Sequence, residues 1–327
     1  MMPGKVLITG GAGFIGSHLA ARLLALGHEV HLVENFQRGA RDAFLAKLLE
    51  NPRARLIEAD LRAPDDGVVA GDDYDQIYHL AAIVGVANVA RAPYRVLFDN
   101  VVLLDAALAI ALRQKRLQRF VFTSTSEIYA GTLEAGELTF PTRESSKLVL
   151  PGLGSPRTSY MLSKIYGEAM CKALDLPATL LRPHNIYGPR MGMAHVIPEL
   201  LKRSYDAVEG GQLDVYSVGH TRTFCYIDDA VELIRLASAA EGGAGATLNI
   251  GNEAPEVTIG ELAQTVIRTV GRELTINPMP ETAGSPSRRV PDTAAVRTLT
   301  GYTPAVSLDE GVARTFAWYR DNVFQAA

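Results

Sequence analysis

Tyr160 and Lys164 stand four residues apart in Ser159-Tyr160-Met161-Leu162-Ser163-Lys164, a stretch that opens a helical pattern. That spacing puts both side chains on one helix face. An ammonium beside the phenol favours phenolate, drawing its pKa from about 10 toward working pH, where it can serve as a general base. A second cluster, Thr123-Ser124-Thr125-Ser126, ends an apolar run and offers hydroxyls at the carboxyl edge of a sheet, where ligands of open α/β folds sit. A third, Thr9-Gly10-Gly11-Ala12-Gly13-Phe14-Ile15-Gly16, lies between a strand pattern and a helix pattern. Gly10, Gly13 and Gly16 let the chain turn tightly, approach a pyrophosphate and pack helix on strand. The amides at Phe14 and Ile15 open the helix over which phosphate lies. Glu34 follows Gly16 at close to the roughly 20 residues expected of a ribose-binding carboxylate. A carboxylate there bonds the adenosine ribose and repels a 2′-phosphate, so NAD is expected over NADP; Arg38 is near enough to moderate this. Asn35 stands beside it, and Asp60-Leu61 after the third strand could meet the adenine amino group or cap a helix.

These residues need a sheet to hold them. Apolar runs at Val6–Thr9, Val30–Val33, Arg55–Glu58, Gln76–His79, Phe120–Thr123 and Thr179–Leu181 alternate with helical patterns at Phe14–Leu26, Arg41–Leu49 and Val96–Leu112. The rhythm predicts an α/β fold: a Rossmann doubly wound parallel sheet covered on both faces, with a smaller C-terminal substrate-binding lobe. Residues 1–180 should form the NAD-binding domain, with later segments at about 212–250 returning to it, and residues 181–327 mainly the lobe. Helical patterns recur at Asp229–Ala240, Ile259–Gly271 and Leu308–Tyr319, while Asn277–Pro291, rich in Pro, Gly and Ser, reads as a long loop.

Composition sets the class. The 327 residues are 47 % hydrophobic and 21 % charged, a globular balance, and suit about two domains at roughly 150 residues each. Lys+Arg 32 against Asp+Glu 36 leaves a net charge of −4, so no basic field exists for nucleic acid or an anionic membrane. Two cysteines, Cys171 and Cys225, make no disulfide framework, and no cluster has zinc spacing, so no metal is expected. With no apolar run of about 18 residues, no signal-peptide core after Met1-Met2 and no lipidation cysteine at the end, the expectation is a cytoplasmic protein.

The motifs together resemble the extended short-chain dehydrogenase/reductases that act on nucleotide sugars. Residues 9–16, Tyr160-x-x-x-Lys164 with Gly167-Glu168, His79-Leu80-Ala81-Ala82, Arg182-Pro183-His184-Asn185-Ile186-Tyr187-Gly188-Pro189 and Arg222-Thr223-Phe224-Cys225-Tyr226-Ile227-Asp228-Asp229 carry the likeness over nearly the whole chain. The resemblance implies NAD as cofactor, with Leu80, Ala81, Ala82, Asn100 and Pro183 joining its site, and a nucleoside-diphosphate sugar as substrate. Tyr160 becomes the base, Lys164 the residue that holds the nicotinamide ribose, and Thr125 the hydroxyl that relays the proton. Asn100 supports this network or merely starts a helix. Asn185, His195, Val196, Arg222 and Arg288 or Arg289 would meet the substrate, its diphosphate held by arginine. By analogy the protein is a homodimer, its helices Val96–Leu112 and Tyr160–Asp175 pairing with a second copy.

Such enzymes begin by oxidising the sugar, usually at C4, to a ketone. Thr125-Ser126-Glu127 resembles the triplet of GDP-mannose 4,6-dehydratases and UDP-glucuronate decarboxylases, with the glutamate near C5; Ser126 stands where dTDP-glucose dehydratases carry an aspartate. Glu127 could equally be a buried acid satisfied by a neighbour. Against it, Ser163-Lys164-Ile165-Tyr166-Gly167-Glu168 looks like the epimerase form of this helix. The sequence therefore leads to an NAD-dependent nucleotide-sugar epimerase working through a 4-keto sugar with NAD recycled internally. The alternatives are a 4,6-dehydratase or UDP-glucuronate-type decarboxylase using Glu127 near C5 and, more distantly, a non-catalytic NAD(H)-binding module. The intact Thr125, Tyr160 and Lys164 favour an enzyme.

Overall fold

The computed structural model describes residues 3–63, 73–282 and 284–325; Met1, Met2, Ala326 and Ala327, on which the reading of the termini draws, lie outside them. Strands β1 (Lys5–Thr9), β2 (Glu29–Glu34), β3 (Ala54–Glu58), β4 (Gln76–His79), β5 (Arg119–Thr123) and β6 (Ala178–Pro183) lie where the apolar runs place them, each shifted by a residue or two at most. A seventh strand, Thr247–Ile250, joins them in one parallel sheet ordered Thr247–Ile250, β6, β5, β4, β1, β2, β3. The order reverses between β1 and β4, so the carboxyl ends of those strands open a crevice.

Strand residues alternate between two buried layers. Val6, Ile8, Tyr78, Val121 and Leu181 face one core, shared with helix α1 (Phe14–Ala25) and the helix Ile227–Ala239. Leu7, Ile77, Phe120, Phe122 and Leu180 face the other, covered by the paired helices Pro93–Leu112 and Pro156–Ala173. Because both faces are covered, these strands read as nearly continuous apolar runs.

The lobe packs the helices Val196–Asp206, Ile259–Val270 and Leu308–Tyr319 on one another. Two expectations change here. The return to the large sheet is narrower than about 212–250: Gln212–Tyr216 pairs with Thr275–Met279 in a separate two-stranded sheet, while the helix Ile227–Ala239 covers the main sheet and Thr247–Ile250 joins it. The stretch Asn277–Pro291 is not one long loop. Its first residues belong to the strand Thr275–Met279, and Arg288–Arg289 lies parallel to Thr221–Arg222. No helix among the described residues is long and apolar enough to cross a membrane.

Candidate active site

β1 ends at Gly10, whose amide donates to the Val33 carbonyl at 2.9 Å, and the chain turns there with φ +70°. A Cβ at Gly10 would sit 2.8 Å from the Ala81 nitrogen, and one at Gly16 only 2.3 Å from the Gly10 carbonyl oxygen. These two positions admit glycine alone. α1 starts at Phe14 after Gly13 with no side-chain cap, leaving its first amides facing the crevice. Glu34 at the end of β2 is 8 % exposed; its carboxylate accepts from the amides of Ala12, Asn35 and Phe36, which fixes it at the loop's edge.

Gly10, Gly13, Phe14, Ile15, Gly16, Glu34, Asn35, Leu61, Leu80, Ala81, Ala82, Thr125, Tyr160, Lys164, Pro183 and His195 line one cavity of about 400 Å³, together with Arg38 and Arg190. A dinucleotide fits this donor set: uncapped helix amides over a cradle no Cβ could enter, and a carboxylate at the ribose end. Asp60 is set differently from the expectation of an adenine contact. Arg62 grips its carboxylate and bridges it to Asp99 at 2.9 Å, holding it far below the usual carboxylate range, and Asp60 does not line the cavity. Asn100 also lies behind the wall. Its amide accepts from Ile83 N at 2.7 Å and donates to Ile83 O and Ser163 Oγ, tying the loop after β4 to the Tyr160 helix.

At the cavity's inner end Tyr160 bonds the Thr125 hydroxyl. The expected depression of its pKa is absent. Burial raises it to about 12, against the Thr125 bond and Arg38, while Glu127 adds to the rise. Lys164 does not counter this, because its ammonium donates to the Thr123 carbonyl at 2.8 Å and stands 5.9 Å from the Tyr160 ring centre; burial brings its own pKa down to about 8. His195 is lowered by burial and by Arg38.

Of the residues expected on the substrate side, Thr125 and His195 line the cavity, while Ser126, Glu127, Asn185, Val196, Arg222, Arg288 and Arg289 lie outside it. Thr125 caps a short turn, Ser126–Tyr129, accepting from the Glu127 amide at 3.2 Å, and Ser126 is buried in its first position. Glu127 pairs with Arg289, and Arg157 stands 3.5 Å away. Burial pushes the Glu127 carboxyl up, but Arg289, Arg157 and Arg222 outweigh it and hold it ionised. Arg222 is 7 % exposed and donates to the carbonyls of Thr221 and Pro286; burial and Arg289 lower its pKa to about 10. Arg288 and Arg289 part company, as neighbours on a strand must: Arg289 turns in to Glu127, whereas Arg288 makes two 2.8 Å bonds to Glu256 and points away. Asn185, at φ +42°, donates to the Thr223 carbonyl at 2.9 Å. Val196 begins a lobe helix and packs into the core.

Sequence reasoning missed Arg157 and Arg190. Arg190 reaches from the second half of the chain to Asp42 at 2.7 Å, to Ser17 and to the Ala12 carbonyl at 3.3 Å, clamping the glycine loop. No local pattern marks either, since Arg190 meets Asp42 across 148 positions and Arg157 meets Glu127 from a different element of the chain. Among the described residues no group of three or more His, Cys, Asp or Glu could hold a metal.

Fold and site together define a dinucleotide-dependent enzyme of the doubly wound α/β class. A family model described as the NAD dependent epimerase/dehydratase family matches residues 6–251, and the chain belongs to that family. Within it, the chain is 33 % identical to a UDP-N-acetyl-alpha-D-glucosaminuronate decarboxylase from Bacillus cytotoxicus over 98 % of its length and 99 % of the relative's. It is 31 % identical to UDP-glucuronic acid decarboxylase 1 of Arabidopsis thaliana, covering 98 % of this chain and 70 % of that one. Among solved structures, a UDP-glucose 4-epimerase from Thermotoga maritima superposes with a TM-score of 0.83 at 27 % identity (97 % and 99 % covered). A dTDP-glucose 4,6-dehydratase from Streptomyces venezuelae, solved with NAD bound, gives 0.82 at 29 % identity with 97 % of each chain covered. The protein is an NAD-dependent enzyme that modifies nucleotide sugars.

Proposed function

We propose that the chain decarboxylates a UDP-hexuronate through a 4-keto sugar, in place of the epimerisation that the sequence first suggested. The carrying observation is the ionised Glu127 beside Thr125, faced by Arg289, Arg157 and Arg222. Three guanidiniums around one carboxylate leave positive charge over, which suits a substrate bearing both a diphosphate and a C6 carboxylate. The decarboxylase relatives agree with this. The helix features that pointed to an epimerase serve packing instead: Glu168 is in a buried two-bond pair with Arg182, and a Cβ at Gly167 would strike the Phe122 ring.

In this reading Tyr160, oriented by Thr125, takes the proton from the C4 hydroxyl as its phenolate, a form that the positive nicotinamide of bound NAD would favour against the rise that burial imposes, and so becomes the hydroxyl of the later steps. NAD, when bound, would supply the acceptor for the C4 hydride and the donor that restores it. Thr125 and Tyr160 then face a C4 carbonyl placed β to the C6 carboxylate. The C5–C6 bond breaks, carbon dioxide leaves, and the electron pair enters an enolate whose oxygen those two hydroxyls stabilise. C5 takes up one proton, leaving a 4-ketopentose that is reduced to the pentose. Arg157, Arg222 and Arg289 hold the anionic groups, with Asn185 beside them; Gly10, Gly13, Gly16, Glu34 and Lys164 hold the cofactor.

Incubation with UDP-glucuronate or UDP-N-acetylglucosaminuronate labelled with ¹³C at C6, with catalytic NAD, tests this. Labelled carbon dioxide and a UDP-pentose are expected. A C4 epimer that keeps its label would establish epimerisation, and stoichiometric growth of 340-nm absorbance a net dehydrogenase. A homodimer is proposed through the helices Pro93–Leu112 and Pro156–Ala173, where Tyr94, Phe98 and Tyr166 are 69, 48 and 55 % exposed. Light scattering of Phe98→Asp should give a monomer.

A further inference from the structure

Asn249 is fully buried on the edge strand Thr247–Ile250, opposite Arg182 of β6. Its side chain uses every hydrogen-bonding position it has. Oδ1 accepts from the Tyr129 hydroxyl at 3.1 Å and from His184 Nε2 at 3.0 Å, while Nδ2 donates to the carbonyls of Thr142 at 2.9 Å and Asp292 at 3.1 Å. Two carbonyls facing Nδ2 fix the amide's orientation, and an oxygen that can only accept then requires the His184 proton on Nε2. Tyr129 in turn accepts from Arg182 at 2.7 Å, so its own proton is directed to Asn249.

The partners belong to the segments that carry the substrate-side groups. Tyr129 closes the turn that begins with Ser126 and Glu127. Thr142 and the Val290–Asp292 segment exchange backbone bonds of 2.8 Å each way, and Arg289 directly precedes that segment. His184 directly precedes Asn185. These segments are far apart in the chain, and one amide joins them.

We propose that Asn249 is a positioning residue, setting the Glu127 turn in register with the segment bearing Arg289. The inference rests on the decarboxylase reading and concerns the step after C4 oxidation. Tyr160 and Lys164 stand on the Pro156–Ala173 helix, with Lys164 tied to Thr123 at the end of β5, and Thr125 enters the turn from that strand at the end away from Tyr129, so losing Asn249 should largely spare the oxidation and slow the loss of the carboxylate.

The experiment is a single turnover of NAD-loaded enzyme with UDP-[6-¹³C]glucuronate, following the 340-nm burst for C4 oxidation and ¹³CO₂ for C–C cleavage. Asn249→Ala should keep the burst while cleavage slows about 10²-fold, the effect of an ångström-scale misplacement. Tyr129→Phe, which removes one of the four bonds, should slow cleavage about tenfold by the same reasoning. A residue that only stabilises the fold would lower Tm and leave the ratio of burst to cleavage unchanged; that result, or a parallel fall in both, overturns the proposal. If Asn249→Ala does not fold, Tyr129→Phe decides on the same ratio. A wild type that releases no ¹³CO₂ from this sugar or from UDP-N-acetylglucosaminuronate overturns the decarboxylase reading and, with it, the step Asn249 is assigned.

Discussion

The guanidinium of Arg289 closes on the carboxylate of Glu127 from a strand that lies 162 positions later in the chain. With Arg157 on the far oxygen, Glu127 is a counter-ion to two guanidiniums. Glu127→Gln should therefore free positive charge for the sugar diphosphate while loosening the geometry of Arg289 and Arg157, and split the kinetics: KM unchanged or lower, kcat down about 10²-fold as for misplaced groups around the reacting carbon. Equal loss through KM alone would assign Glu127 to binding. Its carboxyl is held below the ordinary range, so its contribution to stability is full at neutral pH and is lost as pH falls through that lowered value. Acid melting curves of Glu127→Gln should be flatter than those of the wild type.

The sheet was legible because its strands are buried on both faces, and the glycine loop because a strand, a turn and a helix each leave a local mark. What stayed hidden depends on distant partners. Arg288 and Arg289 are equivalent on paper; only the strand Arg288–Arg289, pairing with Thr221–Arg222, decides which one turns inward. Asp60 stands beside the cavity as its place after β3 implies, but its pairing with Arg62 two residues on could not be read from the sequence pattern. The spacing of Tyr160 and Lys164 is correct as one helix face, yet spacing carries no information on burial, and burial decides both titrations.

Those titrations give a second prediction. In the protein without cofactor Lys164 loses its proton near pH 8, well below the ordinary value of about 10.4, and Tyr160 holds its own to about 12. The order opposes a phenolate–ammonium pair at neutral pH. For Lys164 the sign is that of a depressed group: folding is penalised while the unfolded lysine is charged and the folded one is not, so stability from this site falls as pH drops from about 10.4 through 8. NMR of ¹³C-labelled lysines should show one resonance titrating near 8 that vanishes in Lys164→Met. A Lys164 midpoint above 10 would contradict the burial argument.

Glu34 yields a third. It accepts from the amides of Ala12, Asn35 and Phe36, so it shapes the loop as well as facing the adenosine end of the cavity. Glu34→Ala should weaken NAD binding and narrow the preference over NADP, since the repulsion toward a 2′-phosphate goes with the carboxylate. It should also lower Tm, at about 1–3 kcal/mol for buried amides left unpaired. Calorimetric titration with both dinucleotides separates the effects. An undiminished preference for NAD would place discrimination elsewhere on the loop, with Arg38 the next residue to change.

Deuterium at C5 tests the order of events. Once C4 is a ketone, loss of the C6 carboxylate leaves an electron pair on C5 that solvent must protonate, whereas turnover at C4 alone never opens the C5–H bond. In deuterated water the UDP-pentose should carry one deuterium at C5, and material that keeps its carboxylate should carry none. In the proposed decarboxylation Thr125 and Tyr160, bonded to each other, would hold the C4 oxygen, and the pairing of Glu127 with Arg289 and Arg157 argues against its stripping a proton from C5 before the carboxylate has gone. Deuterium in recovered hexuronate would mean that C5 is deprotonated first, making Glu127 a base in spite of its pairing. Product without deuterium would mean that the C5 proton never exchanges with solvent.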